Sequence, residues 1–180
     1  MSTVNQAPPA SRDPAPAGAG VRERLLGLLR DAAPGFREVH HEPTTTSEAS
    51  ALARGEPLEV GGKAIVMKAD DAFHLFVISA ARKIDARKIR AHLHARKTRF
   101  ATAEELRTLT GLVPGSVPPF GHPLLPLPLH ADVSVTTLDR IAFNAASLTD
   151  SVIMATADWL RLARPDVFDF AEQEPPPEPS

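Results

Sequence analysis

The 180-residue chain contains no cysteine. Disulfides, thiolate metal sites and a cysteine nucleophile are therefore excluded, and a reducing interior suits the composition. No apolar run is long enough to cross a bilayer, and the first residues lack the basic-then-apolar layout of a secretory signal. A soluble, cytoplasmic protein without a membrane partner is the expectation. Neither sign of charge dominates: 20 Lys and Arg stand against 22 Asp and Glu, for a net charge of −2. The whole-molecule charge thus selects no partner. The dinucleotide fingerprint GxGxxG, the P-loop and HExxH are missing, and so is the GxSxG nucleophile elbow. No cofactor and no metal is called for.

What the chain does have is a concentration of backbone-restricting and backbone-freeing residues at Gly111-Leu-Val-Pro-Gly-Ser-Val-Pro-Pro-Phe-Gly-His122. Gly111, Gly115 and Gly121 permit angles and close approaches that a side chain blocks. Pro114, Pro118 and Pro119 fix φ and remove donors. A solvated linker would not need Leu112, Val113, Val117 and Phe120. The segment reads as a rigid loop, packed by its apolar members, that offers bare backbone N–H groups to an anion or a carbonyl oxygen.

Hydrophobic content of 43% suits one domain with a real core. Residues 1–20 and 173–180, rich in proline, read as disordered tails, which leaves a folded unit over 21–172. Val21, Leu25, Leu28, Leu29 and Ala32 share a helical face, so 21–33 is an amphipathic helix ended by Pro34-Gly35. Phe36 to His41 suits a strand. Thr46 or Ser47 caps a helix through Leu52, with Gly55 near its end. Lys63–Ala69 and Phe73–Ser79 form a hairpin around Asp70-Asp71. Ile84–His94 is helical, and Thr102 with Glu105 makes a capping box. Strands follow at Leu127–Val135, Ile141–Ala145 and Ser151–Ala155. A helix over Thr156–Arg164 is stopped by Pro165, and Val167–Phe170 is a last strand. The irregular interleaving predicts α+β with a mixed, mainly antiparallel sheet.

Lys63 opens its strand after Gly61-Gly62; it and Lys68 each suit a solvated strand end, but the glycine pair beside Lys63 lets another chain or a ligand approach closely. Strand alternation puts Lys63, Ile65 and Met67 on one face and Lys68 on the other, so the two lysines do not share a pocket. Eight of the 20 Lys and Arg fall between positions 82 and 99, against the single acid Asp85. Arg82, Lys83, Arg87, Lys88 and Arg90 lead this run. It is either a solvated helix face or a surface for a nucleic-acid backbone. The seven histidines show no metal-ligand spacing; His122, beside the Gly/Pro loop, is the one of interest. Asp150 suits a turn or cap before an apolar strand. Phe143 suits core packing beside Asn144, and Trp159 belongs to a core-facing helix.

The lysine strand Gly-Gly-Lys63-Ala-Ile-Val-Met, the basic segment Arg82-Lys-Ile-Asp-Ala-Arg-Lys-Ile-Arg90 and the loop Gly115-Ser-Val-Pro-Pro-Phe-Gly121 together resemble the YbaK/ProX family of aminoacyl-tRNA editing domains. The resemblance spans roughly residues 21–172, and the loop is its most specific part. It implies a barrel-like α+β domain that hydrolyses the ester of mischarged tRNA, either free-standing or inserted in prolyl-tRNA synthetases. By that resemblance Lys63, Gly115 and Ser116 are catalytic. Pro118, Gly121, His122, Asn144 and Asp150 contact substrate, and Arg82, Lys83, Arg87, Lys88 and Arg90 hold tRNA. A synthetase is a second possible partner. Members specific for alanine carry a histidine near the late strands, and Ile141-Ala-Phe-Asn-Ala-Ala-Ser147 has none, so the amino acid stays open. A binding module that holds aminoacyl-tRNA or a nucleotide without chemistry is the rival reading.

Overall fold

The computed structural model describes residues 18–173; the expected tails lie almost wholly outside the described residues. The first helix, α1, runs Ala19–Ala32, so its first two residues fall in the segment assigned to the tail. Val21, Leu25 and Leu29 form its buried stripe at the helical spacing the sequence implies. Strand β1 (Arg37–His40) follows, then α2 (Ser47–Arg54). Thr46 caps α2 by accepting from the Ala49 amide, and Gly55 ends it with φ of 68°. A single 3₁₀ turn at Leu58–Val60 leads into the hairpin β2 (Gly62–Ala69) and β3 (Ala72–Ser79).

The expected helix after the hairpin is shorter than its pattern: α3 covers Ala86–Leu93. Asp85 caps it and holds the Arg87 amide, while Ile84 instead bridges Ala171. A short strand not foreseen, β4 (Thr98–Phe100), precedes α4 (Ala103–Thr110). The Thr102–Glu105 capping box is fully formed at the start of α4. The expected strand over Leu127–Val135 splits. Only Leu129–Asp132 is strand (β5), because the Asp132 carboxylate accepts the Ser134 amide and turns the chain into the one-turn helix α5, Val133–Thr136. Strands β6 (Arg140–Asn144) and β7 (Asp150–Ala155), helix α6 (Thr156–Ala163) and strand β8 (Asp166–Phe168) complete the described chain. The last strand lies one to two residues earlier than its pattern suggests.

Two sheets result. One has the order β4-β2-β3-β5-β8 and the other β1-β7-β6. β2 pairs antiparallel with β3 and β4, and β7 with β1 and β6, whereas β3-β5 and β5-β8 are parallel. The mainly antiparallel α+β expectation therefore holds. The barrel-like expectation does not: the sheets touch in an isolated bridge between Gly61 and Ala142 and do not close.

Alternation along the hairpin divides the core. Val66, Leu75 and Val77 face the larger cluster, with Leu25 and Leu29 of α1, Phe143, Val152, Met154 and Trp159. Met67, Phe76 and Ile78 face the other way, onto Ile89 of α3 and Phe170. The Gly/Pro loop is bolted to the larger cluster by its own apolar members, Leu112, Val117 and Phe120. The Trp159 indole donates to the Pro119 carbonyl at 2.8 Å, and Phe120 meets Phe143 edge-on. Its stiffness thus comes from burial as well as from proline.

Candidate active site

A cavity of about 270 Å³ opens where the start of β2, the Gly/Pro loop and the N-terminal end of α2 converge. Gly61, Gly62, Lys63 and Ile65 form one wall, Gly115 and Val117 a second, and Thr44 to Ser47 with Ser50 a third; Arg54 and Asn144 make the floor. Gly62 is what admits the neighbouring sheet. A Cβ on Gly62 would stand 2.6 Å from Ile141 Cδ1, so any larger residue there forces the Ile141 side chain of β6 to shift.

Lys63 reaches this cavity half-buried, its Nζ donating to the Arg82 carbonyl at 3.4 Å. Burial lowers its pKa from the ordinary lysine value; Glu48 opposes the shift and Lys83 adds to it. The cation is therefore poised to gain from an anion that replaces its lost hydration.

The loop amides divide by role. The Ser116 amide donates to the Val113 carbonyl at 3.1 Å, and its hydroxyl donates to the same carbonyl while accepting the Val113 amide. Ser116 is 2% exposed and closes the turn instead of lining the cavity. The amides of Gly115 and Val117, its two neighbours on the cavity wall, make no hydrogen bond within the described residues. Gly115 adopts φ of 85°, a conformation that suits glycine.

Asn144 links loop and floor. Its Nδ2 donates to the Gly115 carbonyl at 2.6 Å, and its Oδ1 accepts from Arg54 Nη2 at 2.7 Å and from Ser151 Oγ at 3.1 Å. A carbonyl only accepts and a guanidinium only donates, so these two partners fix which way the amide faces. Arg54 is 8% exposed and also donates from Nε to Ser151 Oγ at 2.9 Å. Burial pushes its pKa down to about 10 against the pull of Glu56, which leaves it charged at neutral pH. His41 Nε2 lies 2.8 Å from the same Ser151 oxygen.

Of the residues singled out in the sequence, the fold therefore brings Lys63, Gly115 and Asn144 to one cavity. Pro118 and Gly121 are buried in the body of the loop, and His122 is exposed outside the cavity. Asp150 lies on another face, bonded to His40, Ser147 and Thr149. Burial opposes ionisation there, but those hydrogen bonds hold its pKa down to about 2. The basic run also divides. Arg87 pairs with Asp85, Lys88 with Asp169 and the Ala171 carbonyl, and Arg82 donates to the Glu172 carbonyl. Arg90 touches Thr98 Oγ1 from α3, while Lys83 is exposed beside Lys63. Sequence reasoning missed Arg54, Ser151 and the threonine-rich wall. The run Thr44-Thr45-Thr46-Ser47 was a visible signal, read only as a cap. Arg54 gave none, since nothing in its local sequence says that it is buried.

Among the described residues no group of three or more His, Asp or Glu side chains is arranged to hold a metal ion, and no helix is long and apolar enough to cross a membrane.

The profile of the family described as "Aminoacyl-tRNA editing domain" matches residues 41–162. The multifunctional Ser/Thr-tRNA deacylase ProXp-y of Escherichia coli (strain K12) is 35% identical over 158 residues, covering 85% of this chain and 94% of that protein. A proline–tRNA ligase of Shouchella clausii (strain KSM-K16) is 33% identical over 104 residues, which is 58% of this chain and 18% of the ligase. A crystal structure designated a trans-editing enzyme for prolyl tRNA synthetase superposes with a TM-score of 0.75 at 26% identity, covering 86% of this chain and 99% of that one.

Proposed function

The chain belongs to the aminoacyl-tRNA editing domain family, and from that premise we propose that it is a free-standing deacylase that hydrolyses the ester of mischarged tRNA, with the 270 Å³ cavity as its active site. The carrying observation is the convergence on one small cavity of a half-buried ammonium, Lys63, with Gly115 and Val117, two loop residues whose amides are unengaged within the described residues.

The chemistry follows from that convergence. Water attacks the ester carbonyl, whose oxygen gains a full negative charge in the tetrahedral intermediate; collapse then breaks the acyl C–O bond, and the ribose oxygen leaves with the proton that the water gives up. The Gly115 and Val117 amides donate to that oxygen; fixed donors of this kind act without reorganising during the reaction. The Lys63 ammonium holds the phosphate or ribose end of the terminal nucleotide. Asn144 engages the Gly115 carbonyl at the cavity floor and so anchors the loop that carries the free amides. Ser116 acts by closing the turn, and Gly121 by letting the loop pack.

The cavity wall further supports a hydroxylated acyl group. Thr44 Oγ1 and Ser50 Oγ lie 2.8 Å apart within it, and Thr45, Thr46 and Ser47 add further hydroxyls. A wall built to hydrogen-bond a substrate hydroxyl discriminates strongly against the analogue lacking it. Serine and threonine fit this volume and polarity, in line with the name of the Escherichia coli relative.

A panel of mischarged tRNAs incubated with the protein tests the proposal. Faster release of serine and threonine than of alanine or valine is expected. Tight, salt-sensitive binding with no release from any member of the panel would replace the enzyme by a binding module.

A further inference from the structure

Phe100 carries one of the largest exposed apolar side chains of the described protein, at 61% exposure. An isolated surface phenylalanine is ordinary. The position of this one is not. β4 pairs only with β2, in the register Met67–Phe100. Phe100 therefore stands on the sheet face that also carries Met67, Ile65 and Lys63. Ile65 and Lys63 line the cavity. Along β2 the aromatic ring sits about 13 Å from Lys63, four strand residues at ~3.3 Å each.

The flank of this strip is basic. Helix α3 covers the same sheet face through Ile89. Its Lys88 and His92 side is engaged by Asp169 and Asp166. Its Arg90 side turns to β4, where Nη1 meets Thr98 Oγ1 at 3.4 Å. Thr98 and Phe100 are two apart on one strand and share a face. Lys83 is exposed at the cavity end of the strip, beside Lys63. Two of the nearby acids are engaged, Asp85 by Arg87, and Glu105 by Arg99 and the Thr102 amide, while Glu48 faces Lys63 at the cavity end. No aromatic ring among the described residues stacks on Phe100.

We propose that Phe100 is a stacking platform for an unpaired base of the RNA acceptor end, upstream of the nucleotide whose ester enters the cavity, with Arg90 and Lys83 flanking the same strand's phosphates. An exposed aromatic beside cations matches single-stranded nucleic acid, whose bases present π-faces and whose backbone is anionic. The proposal rests on the deacylase reading for the direction of the strand. It makes the edge strand β4, which contributes nothing to the cavity, part of substrate recognition.

The test compares Phe100→Ala, Phe100→Leu and Phe100→Trp on the acyl-tRNA that the wild type hydrolyses fastest and on the matching aminoacyl-adenosine, which is too short to reach β4. Phe100→Ala and Phe100→Leu are expected to raise KM for the tRNA about tenfold with kcat kept, as loss of one stacked base does. Phe100→Trp keeps the wild-type KM, and none of the three changes kcat/KM on the adenosine ester. An unchanged KM in Phe100→Ala overturns the platform. So does full function in Phe100→Leu, which would reduce the ring to apolar bulk. So does an equal loss on the adenosine ester, which would place the damage in the cavity. If the wild type hydrolyses no ester, the deacylase reading falls. The Kd for uncharged tRNA, which Phe100→Ala must raise about tenfold, still decides Phe100.

Discussion

Asn144→Asp separates what this residue does for the fold from what it does for the loop. The substitution keeps shape and volume and keeps an acceptor facing Arg54 Nη2, now as a carboxylate against a guanidinium. It replaces the Nδ2 donor, 2.6 Å from the Gly115 carbonyl, by an oxygen that cannot donate. The stronger charge-assisted pair with Arg54 offsets what the loop loses, so net stability changes little. The loop loses its anchor and faces an oxygen–oxygen repulsion, a cost of about 1–3 kcal/mol. If that cost falls on the geometry of the Gly115 and Val117 amides, kcat drops about 5- to 150-fold. The drop shows in kcat more than in KM, because these donors act on the transition-state oxyanion. Single-turnover deacylation measures the rate and urea unfolding the stability. A variant with wild-type kcat and wild-type stability would refute the role of the loop anchor. A variant that simply unfolds would instead show that Asn144 is a fold residue.

Lys63→Met is expected to remove most deacylation while unfolding as the wild type does, since the half-buried ammonium bonds only weakly, at 3.4 Å, to the Arg82 carbonyl. Because burial lowers its pKa, the wild-type rate, corrected for spontaneous ester hydrolysis, should fall on the alkaline side at a pH below that of an ordinary lysine; a rate still rising there contradicts a cationic role. Gly121→Ala places a Cβ 2.5 Å from the Leu127 carbonyl oxygen and 2.9 Å from Leu129 Cβ. Overpacking against backbone should cost about 1–3 kcal/mol, and calorimetry should show Tm lowered by several degrees. His74 Nδ1 and His130 Nε2 lie 3.0 Å apart, with His130 Nδ1 at 3.1 Å from Asp166. Burial lowers the pKa of both histidines. Folded pKa values below the unfolded ~6.5 mean that the native state resists protonation. Their contribution is complete above that value and is lost as pH falls through the folded pKa values. A Tm–pH profile should decline on that acid side, and His130→Gln should flatten the decline.

The elements with strong local chemistry could be read directly. The α1 stripe, the hairpin around Asp70-Asp71, the Thr102–Glu105 box and the Gly55 cap each depend on residues within one or two turns of one another. The Gly/Pro loop was also legible as rigid and apolar-packed. β4 was not, because three exposed or half-exposed residues carry no pattern and exist as strand only through pairing with β2. The split of the Leu127–Val135 run was missed because a carboxylate cap on the Ser134 amide outweighs the β-propensity of the valines. That the Ser116 amide is engaged within its own turn was not legible for a similar reason. The hydrogen bonds at Val113 spend it, and they depend on a turn geometry that composition does not encode.

Sequence alone thus determined the local vocabulary of this protein: the helix stripes, the caps, the hairpin, a stiff glycine–proline loop and a lysine at a strand's opening. These are short-range, and a handful of neighbouring side chains decides each. Only tertiary structure decided that Lys63, Gly115 and Asn144 share a cavity while Asp150 and His122 do not. It alone buried Arg54 beneath that cavity. Those placements depend on pairing between segments some ninety residues apart, as Arg54 and Asn144 are. The free energy of burying a charge against a partner depends on where that partner comes to lie, which no local pattern records.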